Sequence, residues 1–427
     1  MKKAAGIFVL FLTLASASFG QNGTIVPIQC VLKGEVVNRP QSSCLILLKA
    51  GEDARTAEVI YIPIKDGKFE YIFRADAEEA YQFLFDDEHR NGSWRPIDFI
   101  VEQGTLNFVL HPIDETDKNV VEGGRYTNEY LTLEKEIANE LKPLYDSLSV
   151  KYELLEKEGK TYTPEAINLL EEIDKLAKDD PKKQQLWEQW YKWQNERKHL
   201  TPEAKAVEDE FRNTDKKSVE KKIQYAKDHP NIVGYTLLVK NIREGIEYRK
   251  EDVSPLLKIY RDIYQPKYSH HPYTALIESY VNAESVKVGN RYVDVTAVDK
   301  DDKEVKLSEL IKGKVALIHL WASWCGPCRR HGKEMIPIYE QYKDKGFTVV
   351  GIARERNKNA MLTAIEKDKY PWANLLELND QHEIWTQFGI GNAGGGEFLV
   401  DENGVFLAIG ATSEEISEIL GKYIIKK

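Results

Sequence analysis

Trp321-Ala322-Ser323-Trp324-Cys325-Gly326-Pro327-Cys328 is the stretch on which the reading of this chain turns. An apolar run at residues 315–320 precedes it, and a helical pattern over about 328–345 follows. Strand, then Cys-x-x-Cys, then helix puts the first sulfur at a helix N-terminus. Unpaired backbone N–H groups and the helix dipole favour a thiolate there. The second sulfur comes one turn later, close enough to close a short disulfide. A structural zinc knuckle would need a second such pair, and Cys30 and Cys44 stand far upstream without that spacing. The chemistry these residues imply is exchange between a dithiol and a disulfide.

Position assigns the roles. Cys325, at the helix start, is expected to be the attacking thiolate. In the reducing direction it opens a substrate disulfide into a mixed disulfide. Cys328, expected to be the more shielded sulfur, then attacks Cys325 Sγ and releases the reduced substrate. Pro327 stiffens the turn at an early helical position, where no ladder hydrogen bond is lost. Gly326 lets a partner's backbone approach. Trp324 either offers protein substrates a flat apolar contact or covers the helix end.

Trp324-Cys325-Gly326-Pro327-Cys328 is also the thioredoxin active-site sequence. With Val288-Gly289, Lys306-Leu307-Ser308, Gly313-Lys314 and Phe398-Leu399-Val400-Asp401, it resembles the TlpA/ResA-like branch of exported thiol–disulfide oxidoreductases. The resemblance covers residues 286–427. It implies a thioredoxin-like domain there, protein disulfides and dithiols as substrates, and electrons from an inner-membrane thiol donor. Apocytochromes or misoxidised proteins are the clients it suggests. No cofactor and no metal are expected.

Two positions depart from the family pattern. An acidic residue commonly stands three positions after the second cysteine, and here that position is His331. An imidazole exchanges protons near neutral pH, so a general acid–base role is chemically reasonable. Packing or exposure on the helix flank remains open, and a charged His331 would stabilise a thiolate. The cis-proline that usually faces the dithiol is replaced by Gly395, inside Gly394-Gly395-Gly396. A trans loop is expected, since a non-proline cis bond costs about 3 kcal/mol. A shaped pocket for a restricted partner and an altered activity both stay open.

The chain has 427 residues, more than one core comfortably holds, and two or three domains are expected. Residues 1–20 read as an export signal: Lys2 and Lys3, an apolar run over 4–17, and a cut after Ala15-Ser16-Ala17 or before Gln21. An uncleaved anchor is the alternative, although the apolar run is short for a bilayer span. Export places the mature chain in an oxidising compartment such as a bacterial periplasm. The net charge of −10 becomes −12 once Lys2 and Lys3 leave, which argues against nucleic acid and anionic lipid as partners.

The expected fold is multidomain, α+β and α/β: an N-terminal β-sandwich over 25–115, a helical region over 126–284 and a thioredoxin-like fold over 286–427. Strand-like segments recur through the first region, with turns at 38–42 and at Asp66-Gly67. If its first two strands form a hairpin, Cys30 lies too far along to bridge Cys44, although export favours a disulfide. In the second region Thr163-Pro164 and Thr201-Pro202 mark helix starts, and Ser254-Pro255 a third. Trp187, Trp190, Tyr191 and Trp193 are spaced along one helix face, as internal packing or as a docking surface. His270-His271 reads as a polar turn. In the last region a β-hairpin over 292–307 precedes the core, and helices are expected over 359–368 and 381–388.

Two function classes compete. One is an exported enzyme that reduces or exchanges protein disulfides, with the oxidising direction also open. The other is a cell-envelope binding or scaffold protein with a vestigial dithiol. The intact Cys-Gly-Pro-Cys favours the enzyme, because exposed unpaired thiols are a liability without a use.

Overall fold

The computed structural model describes residues 27–177 and 180–424. The export signal read at residues 1–20 lies outside the described residues. Strands lead the described chain: β1 Ile28–Val36, β2 Cys44–Lys49, β3 Ile60–Pro63, β4 Lys68–Ala75 and β5 Ala80–Phe85. A short helix, α1 Asp86–Asn91, separates these from β6 Ile97–Ile100, β7 Gly104–Leu110 and β8 Val120–Glu122. They form two four-stranded sheets, in the orders β4-β1-β7-β8 and β3-β2-β5-β6. Leu32, Phe73 and Phe108 from the first sheet and Leu45, Phe83 and Phe99 from the second fill one apolar cluster.

β1 and β2 are not a hairpin. β1 runs antiparallel to β4 and parallel to β7, whereas β2 pairs with β3 and β5. The reason lies in the connection. Arg39 is buried there against Asp87 (3.0 Å) and Glu88 (2.7 Å), which ties the turn to α1 and carries β2 into the other sheet. Cys30 thus sits opposite Phe73 and Cys44 opposite Pro63, and both thiols are free. Cys30 is buried, while Cys44 is only half-buried. The Asp66-Gly67 turn does form, with both residues at positive φ and Lys65 and Lys68 exchanging backbone hydrogen bonds. Beyond it, however, β3 and β4 diverge into different sheets.

Helices follow: α2 Arg125–Lys157, α3 Pro164–Lys175, α4 Pro181–Asn195, α5 Pro202–Asp228, α6 Ile232–Glu244, α7 Ser254–Ile259 and α8 Pro272–Glu284. Thr163 and Thr201 accept hydrogen bonds from the N–H groups of Ala166 and Ala204, satisfying donors that a helix start leaves free. Trp190 is buried among Ala166, Leu169 and Ile173, with Trp187 and Trp193 packed against them. Tyr191 alone of the four aromatics points outward. His271 caps α8: its Nδ1 accepts from Tyr273 N–H and its Nε2–H meets the Glu78 carbonyl at 3.0 Å. Ala80 of β5 and Ile100 of β6 share a core with Tyr235, Leu238 and Ile277, so helices and second sheet are packed together.

The last part is one seven-stranded sheet, ordered β10-β9-β13-β12-β11-β14-β15. Its strands are β9 Thr296–Val298, β10 Glu304–Lys306, β11 Val315–Trp321, β12 Phe347–Glu355, β13 Ala373–Leu378, β14 Gly396–Val400 and β15 Phe406–Ile409. Between them run α9 Leu307–Ile311, α10 Gly326–Tyr342, α11 Lys358–Asp368, α12 Ile384–Gln387 and, last, α13 Ser413–Ile424. β11, β12 and β13 are parallel, and β14 with β15 forms the antiparallel hairpin. One sheet face carries α10, α11 and α13; the other carries α9 and α12.

Two elements differ from expectation. β13 is not among the strands read from sequence, because Asn374 and Glu377 interrupt its apolar pattern. Both are satisfied by tertiary partners: Asn374 accepts from the Trp321 ring N–H, and Glu377 pairs with His382 at 2.9 Å. The helix expected over 381–388 shrinks to α12, since Asn379, Asp380 and Glu383 adopt positive φ and turn the chain instead.

Candidate active site

The site grows from the period-two alternation of β11. Its even positions, Ala316, Ile318 and Leu320, pack on one side, while Val315, Leu317 and Trp321 face α10. His319 belongs to the second set and is 1% exposed. The chain then leaves the sheet at Ala322 and enters α10, whose N-cap is Cys325. Cys328 N–H donates to Cys325 Sγ at 3.3 Å, and the two sulfurs are joined as a disulfide. Pro327 occupies the first turn of α10 and Gly326 opens it, with no atom within 4 Å of where a Cβ would stand. The expected difference in shielding is absent: Cys325 is 8% exposed and Cys328 7%. What differs is the wall each sulfur faces.

That wall is the triple glycine ahead of β14. A Cβ on Gly394 would stand 2.9 Å from Cys325 Sγ, and one on Gly395 would stand 2.9 Å from Cys328 Sγ and 2.1 Å from the Leu320 carbonyl oxygen. The loop predicted to face the dithiol does so, without a cis peptide bond among the described residues. Backbone approaches sulfur here because the side chains have been removed.

His331 lies beneath, three residues past Cys328 on α10. Its Nδ1 is 3.6 Å from Glu397 Oε1 and its ring centre 5.7 Å from that of His319. Glu397 is the direct cross-strand partner of His319 in the β11–β14 pair. A carboxyl group therefore does stand beside His331, delivered by β14 and not by α10. Burial raises the Glu397 carboxyl above its ordinary range, against the pull of His331. Burial, then the proximity of His331, pushes His319 down to about 3, so it is neutral; its ring is also hydrogen-bonded to the Cys328 backbone. Ligand atoms of His319, His331 and Glu397 all lie within 4.8 Å of one another, and these are the residues that could hold a metal ion.

A polar frame fixes the start of α10. Arg329 forms a two-pronged pair with Asp368 (2.6 and 2.9 Å) and donates to the Ser323 carbonyl. Ser323 donates its N–H and hydroxyl to Glu355 at the end of β12. The remaining contacts come from the connection between β2 and β3. Arg55 places its guanidinium 5.5 Å from the centre of the half-exposed Trp324 ring, and Thr56 donates to Asp380. Arg356 donates to the Ala54 carbonyl, so this connection rests on the chain just beyond the C-terminal ends of β12 and β13.

His319 carries a signal that sequence reading passed over, a lone imidazole inside an apolar strand. Glu397 stands two residues after Gly395 and could have been flagged with it. Arg55 has no local signal, since more than two hundred residues separate it from Trp324.

Residues 288–408 match the AhpC/TSA family. The thiol–disulfide oxidoreductase ResA of Bacillus thuringiensis strain Al Hakam is 24% identical over 125 residues, 29% of this chain and 70% of that protein. ResA of B. thuringiensis subsp. konkukian is 24% identical over 147 residues, 34% of this chain and 82% of its own length. Among solved structures, the thioredoxin domain of a thiol–disulfide oxidoreductase from Bacteroides vulgatus is 27% identical. It covers 33% of this chain and 99% of that domain, with a TM-score of 0.31.

Proposed function

We propose that this chain is an exported enzyme that exchanges protein disulfides through Cys325 and Cys328, a reading supported by the match of residues 288–408 to the AhpC/TSA family and by the likeness of the last third of the chain to ResA thiol–disulfide oxidoreductases. The observation that carries this is the Cys325–Cys328 disulfide at the N-terminus of α10, with glycine backbone facing both sulfurs.

In the reducing direction the dithiol form is the reagent. Cys325 thiolate is stabilised by the helix start and by the Cys328 N–H. It attacks one sulfur of a substrate disulfide, forming the Cys325–substrate bond and expelling the other sulfur as a thiolate. Cys328, having lost its proton, attacks Cys325 Sγ; the intramolecular disulfide forms, and the substrate leaves carrying two electrons. His331, one helical turn after Cys328 on α10, and Glu397 beside it are the groups assigned to take the Cys328 proton. Gly394 and Gly395 leave backbone free to pair with a substrate strand, and Trp324, Gly326 and Pro327 shape the surface it meets. A thiol donor at the inner membrane would restore the dithiol.

Export to the periplasm rests on the residue 1–20 pattern and the ResA likeness. Among the described residues no helix is long and apolar enough to cross a membrane. The shared core of the two N-terminal sheets supports reading 25–115 as a β-sandwich, with 126–284 and 286–427 as the helical and catalytic units.

Insulin reduction tests the proposal. Wild type should precipitate insulin chains with a dithiol supply, and Cys325→Ser should not. Cys328→Ser should accumulate a mixed disulfide through Cys325. An inert wild-type dithiol would return the chain to the scaffold reading.

A further inference from the structure

We propose that His319, His331 and Glu397 form a binding site for a divalent transition-metal ion of the zinc class, between β11, β14 and α10. Three separate elements bring them together. His319 comes from the centre of β11, Glu397 from the opposed residue of β14, and His331 from α10, which packs on that face. Their ligand atoms lie within 4.8 Å of one another, and His331 Nδ1 is already 3.6 Å from Glu397 Oε1. Ligands about 2.0–2.1 Å from a tetrahedral ion are roughly 3.3 Å apart. The His331–Glu397 spacing is near that value, and small side-chain rotations bring in the third ligand.

The second observation is an accounting of hydrogen bonds. His319 is 1% exposed, its ring is bonded to the Cys328 backbone, and its Nε2 is buried without a partner. Both ring nitrogens of His331 are likewise buried without a hydrogen bond, Nδ1 meeting the Glu397 carboxyl only at 3.6 Å. Such groups normally find a partner, and each exception calls for one. A metal-ligating histidine commonly has one nitrogen held by a backbone group, which leaves the other as a fixed lone pair. His319 has that arrangement. Two imidazoles and one carboxyl group are the donor set of an open zinc site, and Glu334 and Glu414, linked through Ser413, lie nearby.

The site needs no sulfur, so it is tested on the full-length disulfide form, where Cys325 and Cys328 are unavailable as ligands. That choice also keeps it separate from the redox reading, whose failure would leave it standing. Zinc titrated into the tag-free protein against a chromophoric chelator should show one tight equivalent. Glu397→Gln and His331→Asn should each weaken it about tenfold or more. Cobalt in the same protein should give the intense visible bands of a four- or five-coordinate ion, without sulfur charge-transfer absorption. Wild type that takes up no more zinc than a variant carrying both Glu397→Gln and His331→Asn overturns the proposal. A wild-type cobalt spectrum no different from hydrated cobalt does so as well, whether or not the variants fold.

Discussion

Arg55, on the connection between β2 and β3, holds its guanidinium 5.5 Å from the centre of the Trp324 ring. The residue before Cys325 is thus roofed by a side chain from the opposite end of the chain. Asp53 keeps that guanidinium in place through a two-pronged pair. The arrangement joins the start of α10 to the connection between β2 and β3.

Removing the roof should matter for large substrates. A cation over an exposed ring contributes about 0.5–1 kcal/mol, equivalent to roughly a two- to fivefold change. Arg55→Ala is expected to change kcat/KM for insulin by about that factor and leave a small aromatic disulfide unaffected. Equal effects on both substrates would show that Arg55 does not select by size.

Gly395 is held by geometry. An added Cβ would meet the Leu320 carbonyl oxygen at 2.1 Å and Cys328 Sγ at 2.9 Å, so backbone must move. Overpacking of this kind costs about 1–3 kcal/mol. Gly395→Ala, and Gly395→Pro with the same Cβ, should lower the melting temperature by several degrees and shift the dithiol–disulfide equilibrium with glutathione. Should neither quantity move, the loop is passive.

His331→Ala, measured with chelator present, should change the shape of the exchange rate against pH, with melting little altered. A superimposable profile would remove His331 from proton transfer.

Where the N-terminal sheets, the helices and the last sheet meet, burial pushes the Glu52 carboxyl up to about 8 and Glu383 up to about 7. In the unfolded chain both titrate near about 4.3. Above that pH the folded form keeps protons that the unfolded form has released, so stability falls as pH rises and levels off beyond about 8. His271, pushed down to about 4 by burial, acts oppositely, but its contribution is complete by about pH 6.5. The difference in melting temperature between pH 6.5 and 8.5 should therefore be smaller in Glu52→Gln than in wild type. An unchanged difference would place the proton elsewhere.

Much of this was legible beforehand. The Cys-x-x-Cys pair, the helix it opens and the strands β11 and β12 depend on short-range patterns. So do the Thr163 and Thr201 caps, where a side chain answers a donor three residues away. The glycine loop, by contrast, was placed opposite the dithiol by the family resemblance. The pairing of β1 and β2 was misread because a turn states only that the chain bends. Arg39, buried on α1, decides where it goes next. β13 was missed because Glu377 breaks the apolar run, and its partner His382 is visible only in three dimensions.

The amino-acid order alone determined which chemistry this chain carries, because two sulfurs one helical turn apart need only local geometry to react. Tertiary structure decided what surrounds them. It set His319 against Glu397 across a strand pair, brought His331 down onto both, and laid Arg55 over Trp324. Those contacts join residues far apart in sequence, and they form only when burial of the sheets and helices repays the entropy of bringing distant segments together.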